Sequence, residues 1–491
     1  MSLSDADRQE LLRALRQDAP RFGERLATLA FQRGLAVTDK ADGSRRPIPV
    51  TATPVLVEPA ELRRRQRLAA LLSSATLKLA RLVLASDRAP LVLDGLSPLE
   101  RELATATFAR LATLVTTRVD FFVGGGVKAL EVNATIPAMQ GYSDVAADTF
   151  LEVVGAAWGA APATVARWKA ENGSNTRALF DALLAGYAQV RPGQAPRRIA
   201  LLSRRNDAQL SEQEHLCARF REWGADAEVV HPDQLRATDR AVSAGGEPFD
   251  LVYRHLFVRR LEEPGLVGAG LVKALLAEPN GSRVVVLNPP ASQVEVKAVF
   301  ALLSQALEDA ALAREGGLSG DELAAVAEAV PWTRVFRGQA LQAQVAADPD
   351  RYVLKRSWDY GGRAVFLGKS RGEPSFSERV RAAYGEALDW NGLCARAVED
   401  RVGGGFVVQE VVETRPEEHL LCGGGVPVPA SLFVDFSAYA SVGLPEQPGW
   451  GGVCRGSPSR IVNIVGGGGV LPLLTTPVAE ALLTAHRSWV K

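Results

Sequence analysis

The sequence predicts an α/β protein built around more than one hydrophobic core. Its 491 residues exceed the roughly 250–300 over which a single core keeps growing. Apolar residues make up 47% and charged residues 23%, a mix that buries a core and does not keep a chain unfolded. The third observation is local. Arg198-Ile199-Ala200-Leu201-Leu202 reads as a buried strand, residues 208–223 as an amphipathic helix, and Glu228-Val229-Val230 as a second strand. That is a βαβ unit, whose strands run parallel.

The elements follow in order. Residues 1–117 read as a helical region: Leu62, Leu68, Leu71, Leu72, Leu79 and Leu82 recur at near-helical spacing. Ser97-Pro98-Leu99-Glu100 has the form of a capping box with proline at the first helical position. The run Arg63-Arg64-Arg65-Gln66-Arg67 reads as a solvated helix face beside Glu61. Val119–Val123, three glycines and Val127–Val132 then form a hairpin ending in Glu131-Val132-Asn133. Helices are expected over 144–157 and 175–190. Strands at 249–253 and 283–287 extend the parallel sheet, and an alanine-rich helix covers 311–330. Further strands are expected at 351–355, 364–367, 406–409 and 431–436. These divide the chain into 1–117, a core from 118–194 and 311–491, and a parallel α/β subdomain at 195–310.

Several classes are excluded. Lys plus Arg and Asp plus Glu are 56 each, so no net field attracts nucleic acid or an anionic membrane. No stretch approaches the roughly 20 apolar residues of a membrane span. The N-terminal Ser4-Asp5-Ala6-Asp7-Arg8 is charged where a signal peptide is apolar. Cys217, Cys394, Cys422 and Cys454 are scattered, without a CxxC pair, which suits a reducing cytoplasmic location. There is no GxGxxG between strand and helix, no GxxxxGK[ST], no GxSxG and no HExxH.

What remains is a pattern of lysines and carboxylates. Tyr352 to Arg363 delivers Lys355 from a strand into a turn with Asp359, Gly361 and Gly362. Lysine is a compact charge suited to phosphate oxygens, and glycine lets backbone N–H groups approach an anion. A surface hairpin with a solvated lysine fits the same letters. Glu131 and Asn133, two apart on a strand, share one face and offer oxygens to a hard cation, or simply cap the next turn. Phe406 to Val412 is an apolar strand running into a polar link at Gln409 and Glu410, suited to an adenine slot or to an ordinary core.

In this order the segments resemble the ATP-grasp superfamily, in the circularly permuted branch typified by eukaryotic glutathione synthetase, over residues 118–474. Glu131-Val132-Asn133-Ala134-Thr135-Ile136 is similar to that family's ExNTI segment. With Asp359, the resemblance makes Glu131 and Asn133 ligands of Mg²⁺. Asn288 to Gln293 followed by Lys297 resembles its P-x-x-x-Q-x-x-x-x-K stretch, and Lys297 and Lys355 become the ATP lysines. Gly361 and Gly362 correspond to the glycine-rich loop, and Gln409, Glu410 and Val412 to the adenine hinge. Arg254, ending Leu251-Val252-Tyr253, resembles a substrate-binding arginine. Arg460, ahead of Gly466, Gly467, Gly468 and Gly469, resembles the substrate and catalytic arginine before a mobile glycine lid. Asp359 stands where the family has Glu, Arg460-Ile461-Val462 lacks the following Lys, and Pro137 to Gln140 lacks the substrate serines. The likeness is therefore fuller on the nucleotide side.

The resemblance implies an ATP-grasp core of two α+β lobes and an ATP-dependent carboxylate–amine ligase. Its cofactors would be ATP and Mg²⁺, its catalytic residues Lys355 and Arg460, and its partners a small-molecule acid and an amine (amino acid, peptide or polyamine). Assembly as a homodimer is compatible with it. A kinase on the same core, or a non-catalytic binding protein, remains open because fold does not fix the acceptor.

Overall fold

The computed structural model describes all residues except 1–2, 108–112, 239–240, 263–268, 277–283, 291–294, 360, 445–448, 465–467 and 491. Tyr360, Gln293, Gly466 and Gly467 thus lie outside the described residues. Helices and strands alternate along a mixed α/β chain. Three sheets carry most of the strands. A seven-stranded sheet runs in the order Glu417–Cys422, Val50–Thr51, Gly469–Leu471, Gly449–Ser457, Val428–Val442, Leu114–Val123, Val127–Asn133. Neighbouring residues of these strands point to opposite faces. Phe436 and Cys454 therefore pack beneath the helix Pro59–Leu84 with Leu68, Leu72 and Leu79. Asp435 and Arg455 face the other way, on the side where Tyr439 packs near the helix Gln140–Ala157.

The second sheet is parallel, in the order Val285–Leu287, Leu251–His255, Arg198–Ser203, Asp226–Val230, as the βαβ pattern predicts. The third is antiparallel, in the order Thr333–Val335, Phe406–Glu410, Tyr352–Arg356, Val365–Leu367. It has its own core around Tyr352, Leu354, Phe366, Trp390 and Val408.

Three expectations are corrected. Residues 1–117 are not purely helical: Val50–Thr51, in a stretch of β-branched residues and prolines, pairs into the seven-stranded sheet. The alanine-rich helix is broken into Ala310–Glu315 and Gly320–Ala329, because Gly316-Gly317 ends the first piece and Ser319 caps the second. The basic run is only partly solvated. Arg65 is buried, pairs with Glu61 at 3.0 Å and lies 4.6 Å over the Phe436 ring. The capping box at Ser97–Glu100 is present, with Ser97 N donating to Glu100 Oε2 at 3.0 Å. Among the described residues no helix is long and apolar enough to cross a membrane.

Candidate active site

The hairpin Leu114–Val123/Val127–Asn133 sets the floor of the site. Its register puts Arg118 opposite Asn133 and Asp120 opposite Glu131, so four polar side chains share one face. Arg118 grips Asp120 with both ends of its fork, Nε to Oδ1 at 2.7 Å and Nη2 to Oδ2 at 3.0 Å. Asn133 Nδ2 donates to the same Asp120 Oδ2 at 3.3 Å. Arg455, paired in register with Asp435, donates Nη2 to Asp120 Oδ2 at 2.9 Å and Nε to Asp435 Oδ1 at 3.1 Å. Burial alone would raise the Asp120 pKa, but two guanidiniums outweigh it and hold that carboxyl well below the usual range. Asp435 moves the other way: burial dominates over the pull of Arg455, and Asp120 repels.

Above this floor, Lys355 leaves the antiparallel sheet and reaches the hairpin. Its Nζ donates to Gln409 Oε1 at 2.7 Å and to Leu130 O at 3.1 Å, and Gln409 Nε2 donates to Thr333 Oγ1 at 3.1 Å. Burial pushes the Lys355 pKa down to about 8, against the pull of Glu131, with Lys297 adding to the drop. Lys297 opens the helix Lys297–Gln305. Its Nζ donates to Asp359 O at 2.9 Å and lies 3.3 Å from Glu131 Oε2. Burial would raise the Glu131 pKa, yet Lys297 and Lys355 bring it below the ordinary carboxylate value.

Asp120, Glu131, Lys297, Lys355, Gln409 and Arg455 line a cavity of about 140 Å³ that also has an aliphatic wall of Val353, Ala364, Leu367, Val411, Val412 and Ile461. Gly361 and Gly362, at φ +70° and +71°, turn the chain at its mouth in a conformation that favours glycine. Asn463 Nδ2 donates to Gly361 O at 3.2 Å, and a Cβ on Gly362 would come 2.8 Å from Ile461 Cγ2. A second cavity, of about 390 Å³, adjoins the first. Glu131, Lys297, Asp359, Gly361, Gly362, Arg363, Arg455 and Val462 line both.

The structure thus brings Lys297, Lys355, Glu131, Asp359, Gly361, Gly362, Gln409, Glu410, Val412 and Arg460 to one cavity, and Asn133 to the adjoining one. Arg254 lines neither. It is 1% exposed and donates to the backbone carbonyls of Leu256, Asn288 and Pro289, because its strand is central in a sheet buried on both faces. The expectation that it grips substrate is corrected to a role in holding those loops. Arg460 lies at the first cavity only, 4.8 Å over the Phe433 ring, with Nη1 donating to Thr414 O at 3.4 Å. Two arginines line both cavities, Arg363 and Arg455, and neither is among the residues that the sequence motifs single out. Gly468 is buried, and a Cβ there would lie 2.5 Å from Gly456 O; Gly469 pairs with Gly456 in the sheet. Those two residues are packed at the start of an interior strand, and Gly467 lies outside the described residues. Arg118, Asp120 and Asp435 were also missed. The available signal was a charged residue at every second position, Arg118-Val119-Asp120, in an otherwise apolar strand.

Glu131, Asp359 and the Asn133 side-chain carbonyl are hard oxygen donors of the kind Mg²⁺ takes; all three line the second cavity, and Glu131 and Asp359 line the first as well. Among the described residues no group of three His, Cys, Asp or Glu side chains could hold a metal alone. Mg²⁺ ordinarily takes one or two carboxylates and completes its shell with water and substrate phosphates, so this donor set fits it. The four cysteines are buried thiols outside both cavities.

No protein-family model matches the chain, and no curated protein does. Among solved structures, the candidate gamma-glutamylcysteine synthetase of Methylobacillus flagellatus KT aligns over 89% of this chain and 98% of its own, at 11% identity and a TM-score of 0.38. A glutathione synthetase-like effector from Globodera pallida, in its apo form, aligns over 95% of this chain and 97% of its own, at 10% identity and a TM-score of 0.54. The chain is similar in fold to that effector along nearly its whole length.

Proposed function

We propose that this chain is an ATP-dependent carboxylate–amine ligase with an ATP-grasp core. The observation that carries the reading is the meeting of three distant segments at one cavity. Lys297, Lys355 and Glu131 converge there beside the aliphatic slot that ends at Gln409–Val412. The slot suits an adenine, with the strand backbone reading the base edge, and the two lysines suit the phosphates. Glu131, Asn133 and Asp359 would hold Mg²⁺, which when bound neutralises phosphate charge during transfer. Lys297 is paired with Glu131, and phosphate and metal would replace the counter-charge that each lends the other.

At the junction of the two cavities, a substrate carboxylate oxygen attacks the γ-phosphorus of ATP and ADP leaves. The acyl phosphate then loses phosphate as an amine nitrogen bonds to its carbon and gives up a proton. Acid, amine and ATP become amide, ADP and phosphate. Arg455 is held rigid by Asp120 and Asp435 and lines both cavities, suited to the charge that develops between the two. Arg460 also lines the cavity on the nucleotide side.

The test is product analysis. The protein is incubated with ATP, Mg²⁺ and a library of acids and amines, and the products are read by mass spectrometry. The expected product has the mass of acid plus amine less water, formed in step with ADP. A phosphorylated acceptor with no amide would replace this reading with a phosphotransferase.

A further inference from the structure

The second cavity sits where the parallel sheet changes its direction of winding. From Arg198–Ser203 the chain moves to one side for Asp226–Val230, then to the other for Leu251–His255 and Val285–Leu287. In open α/β sheets, ligands bind outside the carboxyl ends of the strands at such a reversal. The segments leaving those two carboxyl ends are walls of the cavity: Arg204 and Gln209 from one, Leu256, Phe257 and Arg260 from the other.

A short hairpin, Ala36–Thr38 paired with Arg45–Pro47, closes the far end. It is latched to the loop after Arg198–Ser203. Thr38 N donates to Ala208 O at 3.0 Å, Arg45 pairs with Glu214 at 2.7 Å, and a Cβ on Gly43 would lie 3.0 Å from Asn206 Oδ1. The turn of this hairpin presents Lys40 to the cavity.

The charges differ between the two ends. At and beside the junction three cations already have carboxylates: Lys297 has Glu131, Arg118 has Asp120, and Arg455 has Asp120 and Asp435. At the far end, Lys40 and the half-buried Arg204 line the cavity without a side-chain partner among the described residues. Asp207, on the same loop, turns one oxygen to its own backbone, accepting from Gln209 N at 3.0 Å. A cavity of about 390 Å³ also exceeds what one reacting carboxylate fills.

We infer that the acid substrate carries a second anionic group, a carboxylate or a phosphate, and that Lys40 and Arg204 bind it at the carboxyl end of Arg198–Ser203. This rests on the ligase reading for the word substrate, and on the cavity alone for the binding. Two cations from separate segments, brought together by the hairpin latch, select for charge and for length at once.

The experiment uses the full chain and two series of matched probes. One sets dicarboxylates from succinate to adipate against their monoamides. The other sets phosphoserine and phosphothreonine against serine and threonine. Calorimetry without ATP reads binding, and ATP-dependent amide formation is read separately. The dianionic member of one series binds at least about tenfold more tightly than its counterpart, the worth of one charge-assisted contact. That ratio falls toward one in Lys40→Met/Arg204→Met, and the series showing it names the group. Lys40 is exposed, so Lys40→Gln alone, which lowers the ratio in part, keeps the test valid if Arg204→Met disturbs its loop. A ratio near one in the unaltered chain, or one that survives in both variants, overturns the inference. Dianion selectivity through Lys40 and Arg204 without amide product upholds the inference and removes the ligase reading. Amide formation without that selectivity does the reverse.

Discussion

Burial lowers the Lys355 pKa from 10.5 to about 8, so the side chain proposed to meet a triphosphate loses charge just above neutrality. Between those two values the unfolded chain binds more protons than the native one at this residue, and rising pH favours the native state there. The proposed nucleotide binding goes the other way, because it would need the charged form. The dissociation constant for ATP should climb as pH rises through about 8, by at most about tenfold per unit, and Lys355→Arg should flatten the profile. Calorimetry from about pH 7 to 9.5 checks this, and a flat profile in the unaltered chain would remove Lys355 from the phosphates. At this scale the sequence was half legible. Lys297, Lys355, Glu131 and Asp359 sit in local patterns that signal phosphate and metal chemistry. Arg455 does not, because its role depends on which strands pair: only the register with Asp435 and the neighbouring Asp120 turns a lone charge in an apolar strand into a site residue. Arg254 misled for the converse reason, since a strand-end arginine reads alike whether it meets ligand or backbone carbonyls.

The helix Gln140–Ala157 starts without a side-chain cap of its own, after Met139 at φ 93°. Glu212, from the helix Leu210–Glu222, supplies the cap. Its Oε1 accepts from Met139 N at 2.8 Å and Gly141 N at 3.0 Å, joining two helices through one carboxylate. The price is a fully buried acid whose Oε2 has no hydrogen-bond partner, and burial raises its pKa to about 7. A raised carboxyl pKa contributes stability that is complete below the ordinary value of 4.5 and lost as pH rises through about 7. Glu212→Gln keeps the acceptor and removes the charge. It should flatten melting temperature against pH between about 5 and 8, and add roughly 1–3 kcal/mol near pH 8. If melts of the two proteins run parallel over that range, the carboxyl is not neutral in the native state. Elements with strong local signals were legible, as in the βαβ unit and the Ser97–Glu100 capping box. The strand Val50–Thr51 was not, because two residues carry no periodicity and only the sheet that accepts them makes them a strand.

Across the whole molecule, the seven-stranded sheet draws strands from the first, second and last parts of the chain, and the site forms where it meets the antiparallel sheet through Lys355 and Leu130. Composition and segment order could predict layered α/β architecture. Strand order could not be read, because it follows from pairings hundreds of residues apart, such as Asp435 with Phe122. The likeness in fold to the Globodera pallida effector spans nearly both chains, while at 10% identity the chemistry must be carried by the side chains themselves. On the proposed reading, the cavity between the two sheets takes a nucleoside triphosphate. Titration calorimetry of ATP with Mg²⁺ into the full chain and into Lys297→Met/Lys355→Met tests it most directly. One site per chain is expected, with affinity lowered at least about a hundredfold in the double variant. Equal affinity in the two proteins, or no binding to the unaltered chain, would contradict it.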